Sequence, residues 1–310
     1  MKLAPLLCGV VATAQRVATA QRVGDRARVG DRARVGDRAR VGDRARAAPA
    51  YGRVLLFVTT FSHPKMKFAS RKFGHVAFLE RCWPAATARS RLLRDADVRV
   101  YSAGEVDAEA RAAIAKAYPG RDVAIDAVAN PGKLLGAMLP LARAEAAGWF
   151  DGYDWVIRLN PDVIIRDDGP IAALLARRDL DGVFVDCNRH VNNRAPARLN
   201  PFGRVSQVHS DFTAFRPAAL PRGAFRVPDQ YSPERCFRGM ARHKDHACNP
   251  EWALTDSLRP IIRSGRYALL RTSPRDGCRV NGFYSSVLHE HEYIYRCERE
   301  LATGNSTGPP

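Results

Sequence analysis

Between residues 54 and 187 short β-rich runs alternate with helical stretches, and this alternation limits the chain to a narrow set of folds. VLLFVTT at 54–60, DVRVYS at 97–102, YDWVIRL at 153–159 and DGVFVDC at 181–187 read as strands. A shorter run, 123–127, joins them, and 163–165 is extended. Helical spacing fills 68–82, where Trp83-Pro84 is expected to stop the helix. DAEARAAIAKAY at 107–118 is a helix opened by Asp and closed by Pro119-Gly120. A further helix is expected to start at Asn130-Pro131 and run to about 147, and another covers 170–177. Strand–helix–strand order predicts an α/β fold: a single domain, Rossmann-like, with a mainly parallel central sheet flanked by helices. Beyond 187 the pattern loosens to a strand at 210–216, a helix at 251–264 and a segment at 287–293. The domain is expected over about 51–300, with a polar tail at 301–310.

The first fifty residues do not join that fold. MKLAPLLCGVVATA reads as a secretory signal over 1–14, with Ala12-Thr13-Ala14 in small-x-small form. VATAQR then occurs twice and RVGDRA four times, up to Ala45. A six-residue step turns a helix by about 600°, so the valines make no stripe. The Gly in each unit costs a helix about 1 kcal/mol. Residues 15–50 are therefore read as a disordered low-complexity repeat. Over residues 1–50, eleven basic residues, Lys2 included, against four acidic ones account for +7 of the net +17. That charge would suit a polyanion, yet the chain has no zinc-finger spacing, RNP-like aromatic run or basic recognition helix, so no specific nucleic-acid partner is expected. No apolar run reaches the roughly 18–20 residues that span a bilayer.

In open parallel sheets ligands sit beyond the carboxyl ends of the strands. This points to Thr59-Thr60-Phe61, to Ser102 and, most of all, to the interruption in DWVIRLNPDVIIRDD (residues 154–168). There an apolar strand halts at Asn160-Pro161-Asp162, a turn ending in a carboxylate. Carboxylates suit Mg²⁺ or Mn²⁺, which neutralise a diphosphate leaving group. The residues leave open a plain turn, since all three types favour turns.

At YDWVIRLNPDV and HSDFTAFRP (209–217) the chain resembles nucleotide-sugar glycosyltransferases of the GT-A fold. In that family a strand ends in a DxD motif holding a divalent metal and the nucleotide diphosphate. The resemblance places the last acid of that motif at Asp162. It departs at the first, which is Asn160 here. It implies transfer of a sugar from a nucleotide-sugar donor to a glycan or protein acceptor, assisted by Mn²⁺ or Mg²⁺. It also implies a metal-ligating histidine near the C-terminus, for which His289 is preferred over His291. Arg158, on the same strand face as Asn160, and Lys133, near a helix start, are candidate phosphate contacts alongside Thr59. Asp211 and Asp245 are the candidate bases, with Glu251 and Asp256 as weaker ones. A degenerate transferase that binds without turnover and a basic polyanion-binding module are the alternatives.

Six cysteines follow the signal: Cys82, Cys187, Cys236, Cys248, Cys278 and Cys297. An even count without a CxxC pair fits disulfides, and Asn305-Ser306-Thr307 is a glycosylation sequon. Both agree with a Golgi or ER lumen, or with secretion. Organelle targeting is the alternative reading of the N-terminus.

Overall fold

The computed structural model describes residues 49–61, 74–129, 137–186, 208–226, 250–270 and 286–289, all within the unit Ala48–Pro310. The strands are β1 (Val54–Phe61), β2 (Asp97–Ala103), β3 (Ala124–Val128), β4 (Trp155–Leu159), β5 (Val163–Ile165), β6 (Gly182–Asp186), β7 (Val208–Phe215), β8 (Tyr267–Leu270) and β9 (Val287–His289). The helices are α1 (His75–Arg81), α2 (Trp83–Arg89), α3 (Arg91–Asp95), α4 (Ala108–Ala117), α5 (Leu139–Ala146), α6 (Gly169–Leu175), α7 (Pro250–Ser257) and α8 (Arg259–Ser264).

Seven strands form one sheet in the order β3-β2-β1-β4-β7-β6-β8. β1 pairs in parallel with β2 and β4, β2 with β3, and β6 with β8. Only β7 runs against its neighbours. The α/β domain with a mainly parallel sheet is therefore the observed fold. β5 and β9 make a separate antiparallel pair, with Val163 opposite His289.

The central strands are mostly apolar because helices cover both of their faces. Every residue of β4, WVIRL, is buried. Alternate side chains feed two cores. Val54, Leu56, Val58, Trp155, Ile157 and Leu159 pack with α1, α2, α4 and α6 through Phe78, Trp83, Ile114 and Ile171. Leu55, Phe57, Tyr101 and Val156 pack with α5, α7 and α8 through Leu141, Leu254 and Ile261. Each fully buried large aliphatic side chain stabilises the fold by about 1.5–3 kcal/mol. Cys82 is fully buried and disulfide-bonded. The other cysteines lie outside the described residues.

The first helix stops before Trp83-Pro84 as expected, with Cys82 closing α1; what the sequence did not show is that Cys82 also opens α2, with Pro84 in its first turn. A missing N–H costs little there, because the first-turn donors have no intrahelical acceptor. The expected helix at 251–264 is likewise two helices, broken at Leu258, with Pro260 in the first turn of α8. Gly265 then ends α8 at φ 71°, a left-handed position that suits glycine, and leads into β8, a strand the sequence pattern did not reveal. The α4 helix follows expectation, with the Asp107 side chain accepting from the Ala110 N–H.

Tyr101 is fully buried on β2, and its hydroxyl has no hydrogen-bond partner among the described residues. Burial, opposed by Arg143 and aided by Asp126, pushes its phenol up to about 12. The neutral form is favoured in the fold. Its contribution is thus complete below about pH 10, the ordinary phenol value, and is lost as pH rises towards about 12. Tyr101→Phe is expected to keep stability at pH 7 within about 1 kcal/mol and to lessen the alkaline loss. Urea unfolding at pH 7 and pH 11 checks this; an undiminished alkaline loss in the variant contradicts it.

Candidate functional site

β1 and β4 are neighbours, but the chain leaves β1 towards β2 on one side and β4 continues to β7 on the other. A crevice opens where strand order reverses in this way, at the carboxyl ends of the two strands. Asn160 stands at that point. Its Oδ1 accepts from the Thr59 hydroxyl of β1 at 2.8 Å. Its Nδ2 donates to Asp211 Oδ1 of β7 at 2.7 Å. Its backbone N–H donates to the Asp211 carbonyl at 3.2 Å, and its own carbonyl accepts from the Val163 N–H at 3.0 Å. Trp83 Nε1 donates to the Pro161 carbonyl at 2.8 Å, which fixes the turn from α2 as well.

Asp211 is a partly accessible carboxylate, its side chain 20% exposed. The Ser210 hydroxyl lies 3.4 Å from Asp211 Oδ1 and 3.1 Å from Glu251 Oε1 at the start of α7. Thr255 holds α7 to β7, donating to the Glu251 carbonyl at 2.6 Å and accepting from the Val208 N–H at 2.8 Å. His209 Nδ1 accepts from the Asp211 N–H at 3.1 Å and lies 3.5 Å from Asp211 Oδ2. Arg158 sits below this cluster, 3% exposed. Burial pulls its guanidinium below the ordinary range, and Asp211, Glu251 and Asp162 oppose that shift.

Asp162 belongs to a second polar group. It is 2% exposed, and its Oδ1 lies 3.9 Å from His75 Nε2. His75 Nδ1 is 2.7 Å from the Thr60 hydroxyl, and the Phe61 ring packs edge-on against the imidazole. Thr60 follows Thr59 on β1, so the two groups take opposite faces of the sheet end.

Three residues singled out from sequence are joined by hydrogen bonds at the strand ends: Thr59, Asn160 and Asp211. Arg158, expected at a phosphate, lies sealed beneath the surface instead. Asp162, expected at the rim, lies buried within the turn. His289 is placed by the backbone register opposite Val163, one residue after Asp162. Lys133 and Asp245 fall outside the described residues. Sequence reasoning missed His75 and Ser210 and did not single out His209. The HSD spacing around Asp211 was the available signal for the last two, and nothing local marked His75.

Among the described residues no three His, Cys, Asp or Glu side chains gather as a ligand set. Both ends of the Asn160 amide are already engaged. No step below is routed through a metal.

No family model and no curated protein matches the chain. Among solved structures it is similar to an active-site mutant of LgtC, with 14% identity, a TM-score of 0.44, and coverage of 83% of this chain and 97% of that one. It is similar also to the galactosyltransferase LgtC in complex with donor and acceptor sugar analogues, with 15% identity, a TM-score of 0.44 and the same 83% and 97% coverage. Likeness at this level assigns no function.

The bridge made by Asn160 predicts an unusual cost for a mild substitution. Asn160→Asp preserves shape and turn preference. It removes the Nδ2 donor, however, and sets one carboxylate against another at Asp211. Stability at pH 7 is expected to fall by about 1–3 kcal/mol. An unchanged urea midpoint would show that the amide bridge is not stabilising.

Proposed function

We propose that this chain is a glycosyltransferase-like protein that binds a nucleotide-sugar donor at the β1–β4 crevice and transfers the sugar to an acceptor hydroxyl. The observation carrying this reading is the Thr59–Asn160–Asp211 chain of hydrogen bonds, which holds a partly exposed carboxylate at the end of the sheet where ligands of such folds bind. Asp211 serves as the base. It takes the proton of the acceptor hydroxyl as that oxygen bonds to the anomeric carbon. The bond to the diphosphate breaks, and its electron pair leaves with the phosphate oxygen. Asn160, by fixing one carboxylate oxygen, sets the direction of the other.

The wider reading includes Mn²⁺ or Mg²⁺ at Asp162 with His289, supported by the pairing that brings the backbone of His289 beside the turn. It also includes passage through the secretory pathway after removal of residues 1–14, to which the disulfide-bonded Cys82 lends support. The acceptor class is a glycan or protein. No described helix is long and apolar enough to cross a membrane.

A second reading has its own support. The burial of Asp162 and the full engagement of the Asn160 amide favour a transferase fold that binds nucleotide or sugar without turnover.

Thermal unfolding with UDP or GDP, with and without Mn²⁺, tests both. At a ligand concentration of about 100 Kd the gain is about 2.7 kcal/mol, a shift of roughly 5–10 °C. Asp211→Asn is expected to keep that shift while lowering transfer or donor hydrolysis by about 10²–10⁴-fold. Asp162→Asn is expected to remove only the Mn²⁺-dependent part. A nucleotide shift without turnover in the unaltered protein selects the second reading. No nucleotide shift, with polyanion binding that weakens steeply in salt, overturns both.

A further inference from the structure

Glu145 is an acid at the unfavourable end of a helix. It lies in the last turn of α5, where the helix dipole disfavours negative charge. Its carboxylate is held there by three consecutive backbone N–H groups from a turn far along the chain. Oε1 accepts from Gly223 at 2.8 Å and from Ala224 at 3.2 Å, and Oε2 accepts from Phe225 at 3.1 Å. Hydrogen bonds to a charged acceptor are stronger than those between neutral groups.

The turn has its own reasons to present these donors. The Ala224 N–H also reaches the Pro221 carbonyl at 3.1 Å, which closes four residues into a turn. Gly223 is the third of them, and its φ of 74° is a left-handed position that glycine takes without strain. Successive N–H groups around such a residue converge and form a concavity that receives anions. Phe225 is 2% exposed, its ring centroid 5.1 Å from that of Phe215 and 6.1 Å from that of Phe150. That aromatic contact anchors the turn independently of Glu145. The exposed Arg226 folds back beside the turn, so that a Cβ at Gly223 would lie 2.9 Å from its Nε. Glu145, Gly223 and Ala224 are half-buried, so a small ion can reach the donors.

We propose that residues 221–225 form a preorganised carboxylate-binding site and that Glu145 is its built-in ligand. The contact clasps α5 to the chain leaving β7, the strand that carries Asp211. It does not depend on the transferase reading.

Emptying the site tests this by chemical rescue. Glu145→Ala is expected to lower the melting temperature by roughly 4–8 °C, since it removes hydrogen bonds to a charged group. Formate or acetate is expected to restore a large part of that loss, saturably, relative to chloride at equal ionic strength, and to give the unaltered protein no comparable gain. In the same variant the amide resonances of Gly223, Ala224 and Phe225 are expected to shift as formate is added. Glu145→Gln, whose side chain still fills the site, is expected to show neither rescue nor those shifts. Rescue of Glu145→Gln equal to that of Glu145→Ala marks a general salt effect and overturns the proposal. So does a Glu145→Ala protein as stable as the unaltered one, a loss that formate and acetate do not restore beyond chloride, or restoration without movement of the three amides. If Glu145→Ala does not fold in chloride, folding in formate supports the site, and failure in both salts overturns it.

Discussion

The amide of Asn160 joins three strands at their ends. Strand pairing of β4 with β1 and β7 reaches Leu159, and one further backbone bond, from the Asn160 N–H to the Asp211 carbonyl, precedes the turn at Pro161. The side chain takes over there. It accepts from Thr59 on one side and donates to Asp211 on the other. An amide is the one uncharged side-chain group of this size that offers an acceptor and a donor in opposite directions. A carboxylate in its place could satisfy Thr59 but would repel Asp211. The amide at position 160 is therefore a structural feature of this turn.

The sheet end then separates into two chemical compartments. On one face, Asp211, Ser210, Glu251 and the buried Arg158 form a layered charge cluster that opens to solvent at Asp211. On the other, Asp162, His75 and Thr60 form a closed polar group beneath Phe61. Neighbouring residues on β1, Thr59 and Thr60, serve the different faces because strand side chains alternate. The same alternation joins Arg158 to Asn160 and separates Leu159 into the opposite core.

Much of this fold was legible locally. WVIRL announced a central strand because five residues buried on both faces leave little room for polar alternation. Asp107 announced the start of α4 because a cap needs only its own neighbours. The helices that open at Pro84 and Pro260 were not legible, because whether a proline is followed by a new helix depends on where the following segment packs. For Pro84 that segment carries Trp83 into the core and its indole N–H to Pro161, a contact between residues far apart in sequence. β8 escaped notice since four residues, YALL, carry too little pattern to be told from a helix end.

Sequence by itself determined the α/β class, the parallel centre of the sheet and the turn at its Asn-Pro-Asp interruption, because periodicity and turn chemistry act over a few neighbouring residues. It also paired Arg158 with Asn160 by parity on one strand. Only the tertiary structure decided that Asp211 meets Asn160, that Glu251 and Ser210 join it, and that Asp162 turns inward to His75. Those contacts span tens of residues and depend on strand order. The burial of Arg158 depends on layers packed around it, which no local pattern encodes.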